Sequence, residues 1–215
     1  GGNNNDGSVN IIYGTDSGLN KSGDQSWSQD SSGIEGAPEK DDHFGYALAV
    51  GDFDQDGYDD LAIGAPYEDV NGDDNAGAVN IILGTSSGLS STGDQIWHQD
   101  SSGIAGSTQD GDQFGYSLTA GDFDRNGYDD LAIGVPKEDE NGSNAGAVNV
   151  IYSDANGLST VDQYWHQNSS NVAGSNEADD HFGFAVSAGD FNGDGFADLA
   201  IGAPKEDLSV GGGNN

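Results

Sequence analysis

Phe44-Gly45-Tyr46-Ala47-Leu48-Ala49-Val50-Gly51-Asp52-Phe53-Asp54-Gln55-Asp56-Gly57-Tyr58-Asp59-Asp60-Leu61-Ala62-Ile63-Gly64-Ala65-Pro66 is the stretch on which the fold turns. A short apolar run leads into nine residues rich in oxygen-bearing side chains, and a second apolar run leads out to Gly-Ala-Pro. The same order returns from Phe114 to Pro136 and from Phe182 to Pro204, with the Phe-Gly pairs 70 and 68 residues apart. Repetition at such a period marks an array of equivalent units.

Working outward, each unit continues through a polar loop to a third apolar run, Gly77 to Leu83 in the first copy, and then to a stretch carrying Trp97. The runs are short, rich in Val, Ile and Tyr, and bounded by Gly, Asn, Asp and Pro, so they read as strands of about five residues. None holds a helical period. Four strands per unit of roughly 70 residues fit a propeller blade better than a solenoid coil. The expected class is all-β, a β-propeller of four-stranded antiparallel blades; a sandwich of the same strands is the alternative. Gly and Ala inside the strands (Gly45, Ala47, Ala49, Ala62, Gly64) should let neighbouring sheets approach closely.

The whole of 1–215 reads as one domain. Residues 7–38 match third and fourth strands, 39–108 and 109–176 are complete blades, and 177–204 match first and second strands. That makes three blades per chain, one of them split between the termini. Propellers close with about four to eight blades, so the halves must find partners: a head-to-tail homo-oligomeric ring, a filament, or the rest of a longer chain of which this is an excerpt. The Gly/Asn tracts at 1–5 and 211–215 read as halves of a flexible loop, and the start without Met or a leader segment suggests a mature or excised product.

Composition excludes several classes of function. Asp plus Glu number 38 against 5 Lys plus Arg, a formal charge of -33. Such a polyanion repels phosphates and anionic lipid headgroups, which argues against nucleic acid and membrane-surface partners. The apolar runs are far shorter than the ~20 residues of a membrane-spanning helix. With no Cys there is no thiolate metal site, thiol catalysis or disulfide framework. Regularly placed aromatic residues argue against disorder, and the chain should fold once its carboxylates are neutralised.

The acidic loops offer that neutralisation. Oxygen side chains at positions 1, 3, 5 and 9, a carbonyl from position 7 and Gly at 6 give a ring of hard ligands, which suits Ca2+ better than Mg2+. An EF-hand shares the first half of the pattern, but its twelfth position here is Ile63 where a bidentate Glu is needed, and the flanks are strands. Without metal, the loop carboxylates would converge and repel.

Phe-Gly, the acidic loop and Gly-Ala-Pro together resemble the FG-GAP repeat of integrin alpha-chain propellers and their bacterial relatives, over essentially the whole chain; Gly134-Val135-Pro136 departs slightly. The resemblance implies an extracellular or cell-surface adhesion or ligand-binding module with one Ca2+ in each of three loops. It assigns as metal residues Asp52, Asp54, Asp56, Tyr58 and Asp60; Asp122, Asp124, Asn126, Tyr128 and Asp130; and Asp190, Asn192, Asp194, Phe196 and Asp198. It names no ligand, and the sequence has no Arg-Gly-Asp.

No catalytic residues are assigned. His43 and His181 align with Gln113, and His98 and His166 with Ser28, so the histidines read as surface or loop residues. Acidic pairs at Glu68-Asp69, Glu138-Asp139, Glu206-Asp207, Asp41-Asp42, Asp110 with Asp112, and Asp179-Asp180 read as a solvated rim at the end opposite the loops, or as a second cation site. Trp27, Trp97 and Trp165 occupy one equivalent position, as packing residues or as the platform of a lectin-like, carbohydrate-binding propeller. A protein or glycan ligand is therefore the expected partner besides the homo-oligomer. Asn20, Asn141 and Asn168 begin glycosylation sequons.

Overall fold

The computed structural model describes residues 5–139 and 142–207. The Asn141 sequon and most of both terminal Gly/Asn tracts lie outside the described residues.

The described chain is all β. Its strands are β1 (Val9–Thr15), β2 (Gly18–Trp27), β3 (Ala47–Gly51), β4 (Asp60–Ala65), β5 (Ala78–Leu83), β6 (Ser90–Trp97), β7 (Ser117–Gly121), β8 (Asp130–Val135), β9 (Ala147–Asp154), β10 (Gly157–Trp165), β11 (Ala185–Gly189) and β12 (Asp198–Gly202). Among the described residues no helix is long and apolar enough to cross a membrane. β3 to β6 form one four-stranded antiparallel meander and β7 to β10 a second; β1–β2 and β11–β12 are two-stranded. The registers of the two meanders match: Leu61 faces Ile82 and Ile63 faces Asn80 in one, Leu131 faces Ile151 and Ile133 faces Asn149 in the other.

Three apolar layers hold the sheets in series. Val9, Phe44, Leu61, Ile63 and Ile82 form the layer between β1–β2 and the first meander. Phe53, Val79, Ile81, Phe114, Leu131 and Ile133 lie between the meanders. Ala132, Val148, Val150 and Phe182 pack with Val186, Leu199 and Ile201 beneath β11–β12. β4 and β8 are buried at every residue, because each is the second strand of a sheet covered on both faces; that is why they read as unbroken apolar runs. The tryptophans belong to these layers: Trp97 is a core member, and Trp27 and Trp165 pack against their own clusters.

The glycines of the repeat are explained by the inter-sheet contact. A Cβ on Gly64 would stand 2.2 Å from the carbonyl oxygen of Gly115, and one on Gly134 would stand 2.0 Å from that of Gly183. Gly115 and Gly183 both have φ +86, a backbone that side-chain-bearing residues rarely adopt. The glycine after Ile in one unit thus sits against the glycine after Phe in the next, at a distance only hydrogen permits.

β3, β7 and β11 lie side by side along the inner edge. Tyr46, Tyr116 and Phe184, two residues beyond each Phe, form a continuous arc, with centroid separations of 4.9 Å for both neighbouring pairs. The histidines, expected at the surface or in loops, all lie outside the strands, and His181 in the loop before β11 is buried there. It is 9% exposed, because its ring stacks on Phe184 and approaches the Lys205 ammonium; burial, and then that charge, hold it below the usual imidazole range.

Candidate metal centre

Each acidic loop is the turn between the first and second strands of a sheet, and its conformation is written by its own side chains. In the first loop, Asp52 accepts the N–H groups of Asp56 and Gly57 at 3.0 Å each, Asp54 accepts that of Asp56 at 3.1 Å, and Asp56 accepts that of Tyr58 at 2.8 Å. Gln55 and Gly57 take positive φ of 57 and 91, the second being where the sequence supplies Gly. Asp60 opens β4 and is 1% exposed. One of its oxygens accepts the Phe53 N–H at 2.9 Å and the other accepts the Gly84 N–H at 2.7 Å, just beyond β5. The loop is therefore pinned to both neighbouring strands.

The second loop repeats this. Asp122 accepts from Asn126 and Gly127, Asn126 from Tyr128, and Asp130 from Phe123 and Ser153, all between 2.8 and 3.0 Å. One oxygen each from Asp52, Asp54 and Asp60 lie within 4.8 Å of one another, and so do those of Asp122, Asp124 and Asp130. At position 5, Asp56 accepts from the loop backbone and is not among the grouped carboxylates, whereas the Asn126 amide donates to Asp124 of the second triad at 3.3 Å and to the Ser153 carbonyl at 3.0 Å; at position 7 the Tyr58 side chain is 44% exposed, its carbonyl being the group assigned to the metal.

In the third loop Asp190 accepts from Asp194 and Gly195 at 3.1 and 3.0 Å, Asp194 accepts from Phe196, and Asp198 accepts from Phe191 at 2.9 Å. Asn192 at position 3 removes one carboxylate, so no acidic triad forms there. Its amide donates to the second oxygen of Asp198 at 3.4 Å.

Burial pushes Asp60 and Asp130 up to about 6, opposed by the two backbone donors on each and reinforced by the other two carboxylates of the triad. An all-oxygen set with convergent negative charge fits a hard divalent cation. The loops also touch in series: Asp129 N–H donates to the Asp52 carbonyl at 3.2 Å and Ala197 N–H to the Asp122 carbonyl at 3.0 Å.

The family pattern for the FG-GAP repeat matches residues 44–81, 114–151 and 182–215. The chain belongs to the FG-GAP repeat family. It is 32% identical to integrin alpha-PS2 of Drosophila melanogaster over 77% of this chain and 11% of that protein. It is 33% identical to phosphatidylinositol-glycan-specific phospholipase D of Bos taurus over 74% of this chain and 18% of that protein. Against human integrin alpha-IIb it is 45% identical over 43% of this chain and 8% of that protein. The chain thus spans less than a fifth of the length of these curated relatives. Membership accounts for the propeller-type sheets and for the place of the loops within them.

At the opposite end of the sheets the acidic pairs divide. Asp69, Asp110, Asp139 and Asp179 are exposed, as a rim requires. Their neighbours are not: Asp42 and Asp112 are each 1% exposed, Asp180 2%, Glu138 3% and Glu68 5%. Gln29, Gln99 and Gln167 from the loop after each Trp donate to Glu68, Glu138 and Glu206 and draw them inward. Burial lifts Asp42 to about 6, Glu68 to about 7 and Asp112 to about 8, the last with the Glu138 charge beside it. The sequence singles out these acidic residues as a rim or a second cation site, and one oxygen each from Glu39, Asp42 and Glu68 lie within 4.8 Å of one another; the inward turn toward Gln was not expected, and its recurring signal is a Gln two residues after each Trp.

Proposed function

We propose that this chain is a calcium-binding adhesion or ligand-binding module that works outside the cell or at its surface, its three acidic loops each taking one Ca2+. The observation that carries the reading is the convergence of Asp52, Asp54 and Asp60, and of Asp122, Asp124 and Asp130, in loops whose backbone N–H groups are already consumed by the same side chains. What remains directed inward is oxygen. Asp56, Asn126 and Asp194 with the carbonyls of Tyr58, Tyr128 and Phe196 would complete the rings, and Asp190, Asn192 and Asp198 would hold the third ion.

Two of the relatives are named integrin alpha chains, which supports adhesion and a surface setting. The phospholipase D similarity covers 18% of that protein, so its activity is not carried over and the reading remains non-enzymatic. Asn20 and Asn168 are exposed, as glycosylated residues must be. The tryptophan rings lie in the apolar layers, so they lend no support to a sugar platform.

Isothermal titration of decalcified chain with CaCl2, read together with atomic absorption of the dialysed product, tests the proposal. Three Ca2+ per chain, displaced poorly by Mg2+, is the expected result. A chain that takes up no calcium at millimolar concentration overturns it.

A further inference from the structure

We propose that the cleft between Lys137, Tyr116 and His181, at the end of the sheets opposite the acidic loops, takes a single carboxylate side chain, an Asp or Glu that a protein partner presents on an otherwise neutral or basic segment. The site rests on the ligand-binding half of the reading above, to which it gives a place, and not on the metal.

Cations are scarce in this chain, and two of them meet here. Of the 5 Lys plus Arg, Lys137 and Lys205 follow Pro136 and Pro204 at one repeat position, and the charges of both reach the His181 ring. The Lys205 ammonium stands 3.5 Å from His181 Nε2. Although Asp plus Glu number 38, the one ion pair among the described residues is Lys40 with Asp41. Neither Lys137 nor Lys205 is therefore matched by a carboxylate of the described chain. The nearby acids are engaged elsewhere: Asp112 and Asp180 accept the N–H groups of Gln109 and Glu177 at 2.8 and 2.7 Å, and Asp179 accepts the Asn144 amide at 2.9 Å.

The cleft is built by three consecutive units. Tyr67 comes from the first, Gln113, Tyr116 and Lys137 from the second, and His181 and Phe184 from the third, around a volume of about 170 Å3. Lys137 N–H donates to the Asp112 carbonyl at 3.3 Å, and Gln113 and His181 are both buried, so the polar groups are held in place. No carboxylate is among the lining residues. Small-molecule pockets run to about 300 to 1,000 Å3, so this one has room for one side chain while the rest of the partner lies outside. The Tyr116 and Phe184 rings, 4.9 Å apart between centroids, suit a methylene stem. Lys137 suits the carboxylate at its tip, through a charge-assisted hydrogen bond. A net charge of -33 repels a polyanion, which favours a partner that carries its carboxylate singly.

The first unit shows what closes such a cleft. There the residue after Pro66 is Tyr67, whose ring packs edge-on against His43 and Tyr46 at 4.8 and 6.0 Å between centroids. Lys137 puts a flexible stem and a charge where that unit has a ring. Further repeats of a longer chain would bring clefts of their own, because each cleft is made by one unit and its two neighbours, and all three contributors to this one are described.

The probes are the peptides acetyl-Gly-Glu-Gly-amide and acetyl-Gly-Gln-Gly-amide, titrated into the chain with CaCl2 in a carboxylate-free buffer and followed by NMR at the Lys137 ammonium and the His181 imidazole. The Glu peptide should shift both resonances saturably with a millimolar Kd, and the Gln peptide should shift neither. Lys137→Gln should weaken the Glu peptide about tenfold, the loss of one charge-assisted hydrogen bond. Lys137→Arg should retain binding, and Lys137→Tyr should abolish it by filling the cleft. Lys21→Gln, exposed on β2, should change nothing. The near-ultraviolet spectrum and calcium uptake of each variant report that it is folded. Equal shifts from both peptides, or binding that Lys137→Gln leaves unchanged, overturn the site. Acetate that binds as tightly as the Glu peptide overturns the side-chain occupant. A chain that holds its Ca2+ and ignores the Glu peptide refutes this site and leaves the metal reading intact, whereas a folded chain that binds the peptide and takes up no Ca2+ supports the site and refutes only the metal.

Discussion

Withdrawal of calcium should cost this fold more than any single core substitution, and the cost can be worked from the loops. Within each triad the carboxylate oxygens lie within 4.8 Å of one another. At that separation a pair of unit charges repels by about 3 to 4 kcal/mol at an effective dielectric constant of 20, and by about 1 kcal/mol in water. Asp52 and Asp54 are partly exposed and belong nearer the lower figure, whereas Asp60 is held inside. An ion that binds only the folded state, at a hundred times its dissociation constant, contributes about 2.7 kcal/mol per site. The two complete triads therefore contribute about 5 kcal/mol. For a chain of 150 to 250 residues each kcal/mol moves the midpoint by about 2 to 4 °C, so EGTA should lower Tm by about 10 to 20 °C relative to saturating CaCl2. Differential scanning calorimetry measures this directly. Asp124→Ala should recover about half of the shift with calcium present. Superimposed melting curves with and without chelator would refute the reasoning, because uncompensated triads cannot be neutral to stability.

Three further outcomes follow from packing and titration. Gly64→Ala and Gly134→Ala each force a methyl against the next sheet's backbone, at 2.2 and 2.0 Å from a carbonyl oxygen, and should each destabilise by about 1 to 3 kcal/mol or more in urea titrations; Gly57→Asn, in open space and tolerant of positive φ, should cost far less. Asp42, Glu68 and Asp112 have folded values raised by burial to about 6, 7 and 8, so the folded state holds protons the unfolded state has released. The decalcified chain should accordingly lose stability as pH rises from about 4 to 8, by up to roughly 1.4 kcal/mol per pH unit for each such group; denaturant midpoints that stay level or rise across that window would contradict it. Asn149→Leu removes a buried donor shared between the Ala105 carbonyl and Asp162 and leaves both part-buried acceptors short, which should cost about 1 kcal/mol and raise amide exchange at Ala105.

Strand content and loop identity were legible because both are local. Val, Ile and Tyr between turn residues fix a strand within its own few positions, and the hydrogen bonds made inside the Asp52 to Asp60 loop span at most seven residues. The inward turn of part of the acidic rim is illegible for the opposite reason. Glu68 and Asp42 look like solvated charge in sequence, and only Gln29, 39 residues before Glu68, shows that the carboxylate turns inward. His181 is a loop residue as its repeat position implies, but its burial there comes from the Phe184 ring and from Lys205, 24 residues away. The aromatic arc through Tyr46, Tyr116 and Phe184 escaped notice because each ring's partners belong to neighbouring units.

Acidic loop and sheet stacking are two expressions of one geometry. Asp60 ties the loop to β5 through Gly84, and Phe53, the loop's second residue, is a fully buried member of the layer between the meanders. Displacing the loop carboxylates therefore moves a core side chain, so an ion held there would act on inter-sheet packing rather than on a surface turn alone. The glycine pairs work from the other end of the same strands, bringing Gly64 against Gly115 and Gly134 against Gly183. With the sheets held that close, neighbouring loops exchange backbone hydrogen bonds from Asp129 to Asp52 and from Ala197 to Asp122. This explains why Phe-Gly, the acidic loop and Gly-Ala-Pro recur as one block: the glycines set the distance at which the loops touch, and the loops hold the phenylalanines that fill it.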